Sequence, residues 1–440
     1  MSYPRLPLEI RNHITDILGD DDPELEPLRN RTIISCALTC RSCYITDIRS
    51  LLRHVTIHRR SQLRGFTMLI TDKAHFRRFV KTLLIHDDSL PTNSSLPVFP
   101  AMLAGKLPVL EALRIEGNRA DVVDWSRLPI HSSFVLLLRE FNAVLELSLK
   151  GIRFGSLGQF AEVVTSFPQL RVLRCEGLTW TSSKYLPNRR VKASYLACLD
   201  IVAAKPERTG ELIRWLVTTW PEAPLQNIRL QAHNRQACGD IDALNRLLQG
   251  AGSNLRELRI NNIHFASTAG CFLGSFLDLS RNSRLRTLVF SVSLWESGTS
   301  MDLTGWIAWM LSRISTSEML DIEITIRGVL YPNRAVHYEQ IQRMFDAIGS
   351  SRIDAILSAP QFAHMKHARF ILAAPRRIRS VPIAPETGPE NTNVADGAAN
   401  DSVFHKPRCW STKDLFVAKM PTLGARRILQ GGWARRPTHA

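Results

Sequence analysis

The sequence predicts an α/β fold, a repeat-built solenoid of short parallel strands and covering helices, with a small helical module ahead of it and a basic tail behind. Three observations predict it. A six-residue pattern, apolar-x-x-apolar-x-apolar, recurs along most of the chain at a near-constant interval. Segments of helical period fill the intervals. The composition, 45% hydrophobic and 22% charged over 440 residues, supplies a sizeable core, enough for one elongated body or two to three compact domains.

The pattern reads VKTLLI from Val80, LEALRI from Leu110, VLELSL from Val144, LRVLRC from Leu170 and LACLDI from Leu196. It continues as LQNIRL from Leu225, LRELRI from Leu255, LRTLVF from Leu285, MLDIEI from Met319 and HARFIL from His367. Successive starts lie 30, 34, 26, 26, 29, 30, 30, 34 and 48 residues apart, a unit of about 30 residues that stretches only at the last step. The closing apolar-x-apolar piece of each unit has the two-residue period of a strand with one buried face. Between the strands, SLGQFAEVVTSF, TGELIRWLVTTW, DIDALNRLLQGAG and LTGWIAWMLSRIS have the period of a helix, with Ser156 as a cap candidate for the first. In the second, Leu212, Trp215, Leu216 and Trp220 share one side.

Such units bury their apolar faces only by stacking, which places the strands in one curved parallel sheet with the helices outside, a horseshoe. From Val80 to Leu372 the pattern resembles leucine-rich repeats of the longer, helix-containing kind, although the Asn or Cys expected after LxxLxL is mostly missing. An ordinary α/β sheet with crossover helices is the alternative.

The first residues are organised differently. In LPLEIRNHITDIL, the residues Ile10, Ile14, Ile17 and Leu18 make one helix face behind Pro7, and Gly19 closes it. A second face follows at Ile33, Ile34, Ala37, Leu38 and Cys40, and a third at Ile45, Ile48, Leu51 and Leu52. LPLEI, then ALTCRS, a short helix and RHVTI together resemble the F-box of fungal proteins that carry repeats behind it, over Pro4 to Ile57. The resemblance implies a module that docks the adaptor of a cullin-type ubiquitin ligase through Leu6, Pro7, Ile10, Leu38, Cys40 and Arg41, while the repeats recruit a target protein. Cys43 stands where such modules usually have Trp. The alternative function is a plain protein-binding scaffold or a basic nucleic-acid binder with no ligase role.

The predicted organisation is thus an F-box-like module at 1–58, a helical linker at 59–79, the solenoid at 80–374 and a basic tail at 375–440. The tail has eleven Lys or Arg against five Asp or Glu, and its PIAPETGPENTNVADGAANDS stretch is too poor in apolar residues to order itself, so the tail is expected to be disordered. The formal charge of +16 and the pI near 9.9 suit acidic partners without naming one. Eight scattered cysteines fit a reducing compartment, and the absence of a signal peptide or an apolar span of membrane length points to the cytoplasm or nucleus, with no membrane partner.

No phosphate loop, HExxH or GxSxG appears, and Asp87 with Asp88 reads as a solvated turn, so the expectation is a non-enzyme without cofactor. Cys40, Cys43, His54 and His58 imitate zinc spacing, but they fall on a helix pattern and around a strand, and no metal is expected. Arg59 to Lys81 interleaves basic and aromatic residues; it is read as a packed linker with a solvated arginine face, its apolar stripe at Phe66, Leu69 and Ile70, so nucleic acid is not the favoured partner. The candidate target-binding residues are Arg114, Arg174, Arg229 and Arg259, which recur at the x of the final apolar-x-apolar. They form either an internally neutralised ladder, with Glu116, Glu176, Asp200 and Glu257 as neutralisers, or a site for an acidic or phosphorylated segment.

Overall fold

The computed structural model describes residues 32, 34, 35, 48–87, 94–117, 123–183, 195–203, 206–232, 241–264, 277–294, 303–328, 349–373, 418–426 and 428–433. Contacts divide the chain into two units, Met1–Ile263 and His264–Ala440.

Each of the ten sequence patterns contributes a strand. In the first unit the main strands are β1 (His54–Ile57), β2 (Thr82–Asp87), β3 (Ala112–Gly117), β5 (Glu146–Lys150), β7 (Val172–Glu176), β9 (Cys198–Ala203), β10 (Asn227–Ala232) and β11 (Glu257–His264). They lie side by side in that order, and every described pairing is parallel. The register stacks the apolar positions into rows. Leu83, Leu113, Leu147, Leu173, Leu199, Ile228 and Leu258 form one row, and Ile85, Ile115, Leu149, Cys175, Ile201, Leu230 and Ile260 the next. All are buried, as are Val80, Leu110, Val144, Leu170, Leu196, Leu225 and Leu255, which open the patterns. The backbone repeats as faithfully: Glu146 and its predecessor donate to the carbonyl of Glu111, Val172 and its predecessor to Leu145, Cys198 and its predecessor to Arg171.

The sheet starts earlier than the predicted solenoid boundary at Val80. β1 falls within the span assigned to the F-box-like module, yet its His54, Val55, Thr56 and Ile57 pair with β2, because a β-branched run satisfies its backbone on the nearest open edge. Where the regular asparagine is missing, glycine makes the turn. Gly151 and Gly177 leave their strands with φ of 62° and 64°, a region glycine enters freely. At Gly117 a Cβ would lie 2.5 Å from the Gly151 carbonyl oxygen, so the two turns stack backbone on backbone.

Helices cover the apolar face. The helix Leu157–Thr165 begins at Ser156, whose Oγ accepts from the Gln159 amide, and it buries Phe160, Ala161, Val163 and Val164. The helices Pro206–Thr219 and Ile241–Ala251 follow β9 and β10. A feature absent from the sequence pattern lies beneath this layer: β4 (Val123–Asp124), β6 (Ile152–Ser156) and β8 (Thr179–Ser182) form a second, three-stranded parallel sheet. Phe154 of β6 belongs to a chain of rings that runs from unit to unit. Phe134 meets Trp125 at 5.5 Å, Trp125 meets Phe154 at 5.0 Å, Phe154 meets Phe160 at 5.7 Å, and Phe160 meets Trp215 at 5.2 Å between centroids. Each such pair adds about 0.5–1.5 kcal/mol to the area it buries. The buried Trp180 indole donates to Glu211 Oε2 at 2.5 Å, so its N–H is satisfied inside the layer.

In the second unit β12 (Thr287–Leu294), β13 (Asp321–Gly328), β14 (His367–Ala373) and β15 (Leu429–Trp433) pair in parallel in that order. β15 corrects the sequence reading of 375–440 as a tail without order. Within that span, residues 418–433 include a helix, Pro421–Ala425, and a strand that adds to β14. The low-complexity composition stops short of this segment, which brings Met420, Leu423 and Leu429 as a new apolar set, all buried. Polar contacts hold it. The buried Asp354 carboxylate accepts from the Thr422 and Leu423 amides at 3.1 and 3.0 Å, and Arg426 donates to the carbonyls of Leu357 and Phe362 at 3.1 and 2.9 Å. Among the described residues no helix is long and apolar enough to cross a membrane.

Burying three such apolar side chains stabilises by about 1.5–3 kcal/mol each. A chain ended at residue 417 is therefore expected to lower the melting temperature of the second unit by about 10 °C or more, on the basis of a shift of about 2–4 °C per kcal/mol. Scanning calorimetry reads this directly. An unchanged melt would mean that the C-terminal segment adds nothing to the unit.

Candidate protein-binding face

Because strand side chains alternate, the face of the first sheet opposite the helices carries the remaining residues. Its central row runs Leu84, Arg114, Ser148, Arg174, Asp200, Arg229 and Arg259 in direct register. All four candidate arginines therefore lie in one line across the strands, and Arg229 and Arg259 are immediate cross-strand partners. Parallel neighbours are about 4.8 Å apart, a separation at which two bare guanidinium groups repel.

The rows on either side answer that repulsion. Glu146 Oε1 lies 3.5 Å from Arg114 Nη2 and 3.7 Å from Arg174 Nε, so one carboxylate serves two arginines two strands apart. Asp200 Oδ2 lies 3.5 Å from Arg229 Nη1, and Arg259 Nε donates to Glu257 on its own strand. Lys150 and Glu176 close a further pair at 3.0 Å. Of the four expected neutralisers, Asp200 and Glu257 hold arginines, Glu176 holds a lysine instead, and Glu116 makes no ion pair among the described residues. Glu146 takes its place. The sequence carried the signal, since Glu146 occupies the same pattern position as Glu257, but only the register of β5 between β3 and β7 shows that it reaches both arginines.

The charges on this face balance. Arg114, Lys150, Arg174, Arg229 and Arg259 face Glu116, Glu146, Glu176, Asp200 and Glu257 within three adjacent rows, on a chain whose formal charge is +16. With Arg174 and Arg229 52% and 47% exposed, each pair stabilises by no more than about 1 kcal/mol. The pairs set the pattern of the face more than its stability. Between Arg114, Glu146, Arg174 and Asp200 the face sinks into a cleft of about 220 Å³.

Three groups here have shifted protonation. Asp200 is half-buried; burial raises its carboxyl above the ordinary 3.8, Arg229 and Arg174 pull it down, and Glu176 pushes it up again. Burial and the Asp200 charge raise the Cys175 thiol, which points into the core. Burial is also the largest influence on Cys198, whose thiol is raised. A protonated thiol is a poor nucleophile, so neither cysteine has the character of a reactive one.

The six adaptor residues read from the sequence, Leu6, Pro7, Ile10, Leu38, Cys40 and Arg41, lie outside the described residues, as does Cys43. His54 opens β1 and His58 follows it. Among the described residues no group of three or more His, Cys, Asp or Glu is placed to hold a metal ion.

No known protein family matches the chain, and no curated protein matches it. Among solved structures, a leucine-rich-repeat protein of Leptospira interrogans matches with 11% identity and a TM-score of 0.25, over 74% of this chain and 78% of that one. The class follows from the chain's own register instead: ten LxxLxL-like patterns, each a parallel strand with its apolar residues in common rows, make this an α/β repeat protein with a leucine-rich-repeat-like parallel sheet.

A carboxyl raised on folding favours the protonated native state. The stability that Asp200 contributes is therefore complete below pH 3.8 and is lost as pH rises through its higher folded value. Subtracting the urea midpoints of Asp200→Asn from those of the parent across pH 3 to 7 isolates this part. The difference should fall as pH rises through the window just above pH 3.8, and a difference that is flat with pH would contradict it.

Proposed function

We propose that this chain is a non-catalytic binding protein that receives a partner protein on the polar face of its first sheet, as the target-recruiting subunit of a cullin-type ubiquitin ligase. The observation that carries the binding reading is the division of labour across that sheet. One face is closed by helices, and the other presents rows of paired charges with arginines about half exposed. Fixed, prepaired charges suit recognition of a complementary polar surface, since they present a defined pattern without first having to be ordered. Their balance gives no special preference to an acidic or phosphorylated target.

The ligase part of the reading rests on the F-box resemblance of Pro4 to Ile57. In support, β1 (His54–Ile57) is the last segment of the F-box-like span, and its pairing with β2 carries that segment into the sheet. The adaptor would be held by Leu6, Pro7, Ile10, Leu38, Cys40 and Arg41.

Co-purification of the full chain with the cullin adaptor at micromolar concentration tests this. The parent is expected to retain the adaptor, and Leu6→Ala with Pro7→Ala to lose it while melting at the same temperature. No retention by the parent would remove the ligase role and leave a repeat scaffold. Arg229→Ala with Arg259→Ala is expected to keep the adaptor and lose the recruited target; unchanged recovery of the target would give the arginine row a purely structural role.

A further inference from the structure

The surface around the helix Arg60–Asp72 has the opposite electrostatic character to the sheet face. Between Arg53 and Arg78 there are seven Lys or Arg and one acid, Asp72, a net charge of +6 without the histidines. Every one of the seven is solvent-exposed except the half-buried Arg77, which donates to the Ile70 carbonyl at the end of the helix at 2.8 Å. None is in an ion pair among the described residues, whereas each arginine of the sheet row has its carboxylate.

Folding alone does not account for this placement. The helix Arg60–Asp72 has no acidic residue in its first turn, and Arg59, Arg60 and Arg64 gather at the end where the helix dipole is positive. Arg60 and Arg64 are also one turn apart on the same ridge, a like-charge spacing that costs a few tenths of a kcal/mol. An isolated helix would be steadier with glutamates there. Charges placed against both the dipole and each other, and left without partners, fit an anion supplied from outside.

We propose that this surface is a sequence-independent site for the phosphate backbone of a nucleic-acid duplex, with Arg60 and Arg64 as its principal contacts, flanked in sequence by Arg53 and Lys73. Arg60 and Arg64 stand about 6 Å apart along the helix axis at 1.5 Å per residue, a spacing within reach of neighbouring phosphates of one strand. Six of the seven cations are arginine, the side chain whose planar fork matches phosphate oxygens in pairs. Two other anionic partners fit less well. A single strand would need exposed rings to stack on, but Phe76 is buried, with Lys73 over its face at 5.5 Å, and Phe79 is covered by Arg78 at 5.1 Å. A lipid surface would need an apolar helix face to insert. Here Leu63 and Ile70 turn that face into the protein, and Met68 and Leu69, 66% and 37% exposed, are all that remains outside. Leu69 was expected within the buried stripe; Leu63 fills that role.

The test is the fluorescence anisotropy of a short labelled DNA duplex titrated with the full chain over a series of salt concentrations. The patch variant is Arg60→Gln, Arg64→Gln and Lys73→Gln. A control, Arg408→Gln, Arg435→Gln and Arg436→Gln, removes the same number of charges far along the sequence. The patch variant is expected to bind about tenfold or more weakly and to lose about 2 to 3 from the slope of log affinity against log salt, while the control changes both far less. Arg64→Glu alone should weaken binding in the same direction, which keeps the proposal testable if the triple variant melts early. Equal losses in patch and control variants would show that net charge alone governs binding and overturn the site. So would a parent that ignores the duplex and instead sediments with phosphatidylserine vesicles through the same residues. Adaptor binding is read separately, so failure here leaves the ligase reading untouched.

Discussion

A single unit of about 30 residues exposes the leucines of its strand on one side of the backbone and the aromatic side chains of its helix beyond them, and only a neighbouring unit can cover both. The first sheet solves this with registered rows. Leu147 is closed by Leu113 and Leu173, and Leu173 by Leu147 and Leu199, so the burial of each depends on the presence of the next. The ring chain from Phe134 to Trp215 repeats the dependence in the helix layer. Stability in such an arrangement resides in the interfaces between units rather than in any unit alone.

That dependence leaves the opposite sheet face free of structural duty, and its charges are organised accordingly. In the first sheet the arginines are pinned by Glu146, Asp200 and Glu257, which gives a fixed pattern of low net charge. At the helix Arg60–Asp72 the arginines pair with no described carboxylate. The excess of positive charge that composition reports as a single number is thus unevenly placed.

The strand pattern was legible because its period of two and its spacing of about 30 residues survive in spite of degenerate leucines. The arginine row was legible for the same reason, since equivalent pattern positions must align once the strands are parallel. What could not be read were contacts fixed by register and by depth. Glu146 looked like any exposed glutamate until β5 lay between two arginine-bearing strands. The sheet of β4, β6 and β8 was hidden because strands of two to five residues have no period long enough to notice. β15 was hidden by the low-complexity stretch before it, whose composition was extended too far along the chain.

The most direct test of the stacking account is hydrogen exchange, read by mass spectrometry, in a chain whose single change lies inside one unit. Leu199→Ala removes a fully buried side chain from the middle of the first row. The account predicts that deuterium uptake rises together in β7, β9 and β10, because each of the outer two loses the cover that β9 provided. A rise confined to β9, with β7 and β10 protected as before, would show that the units hold themselves and would contradict it.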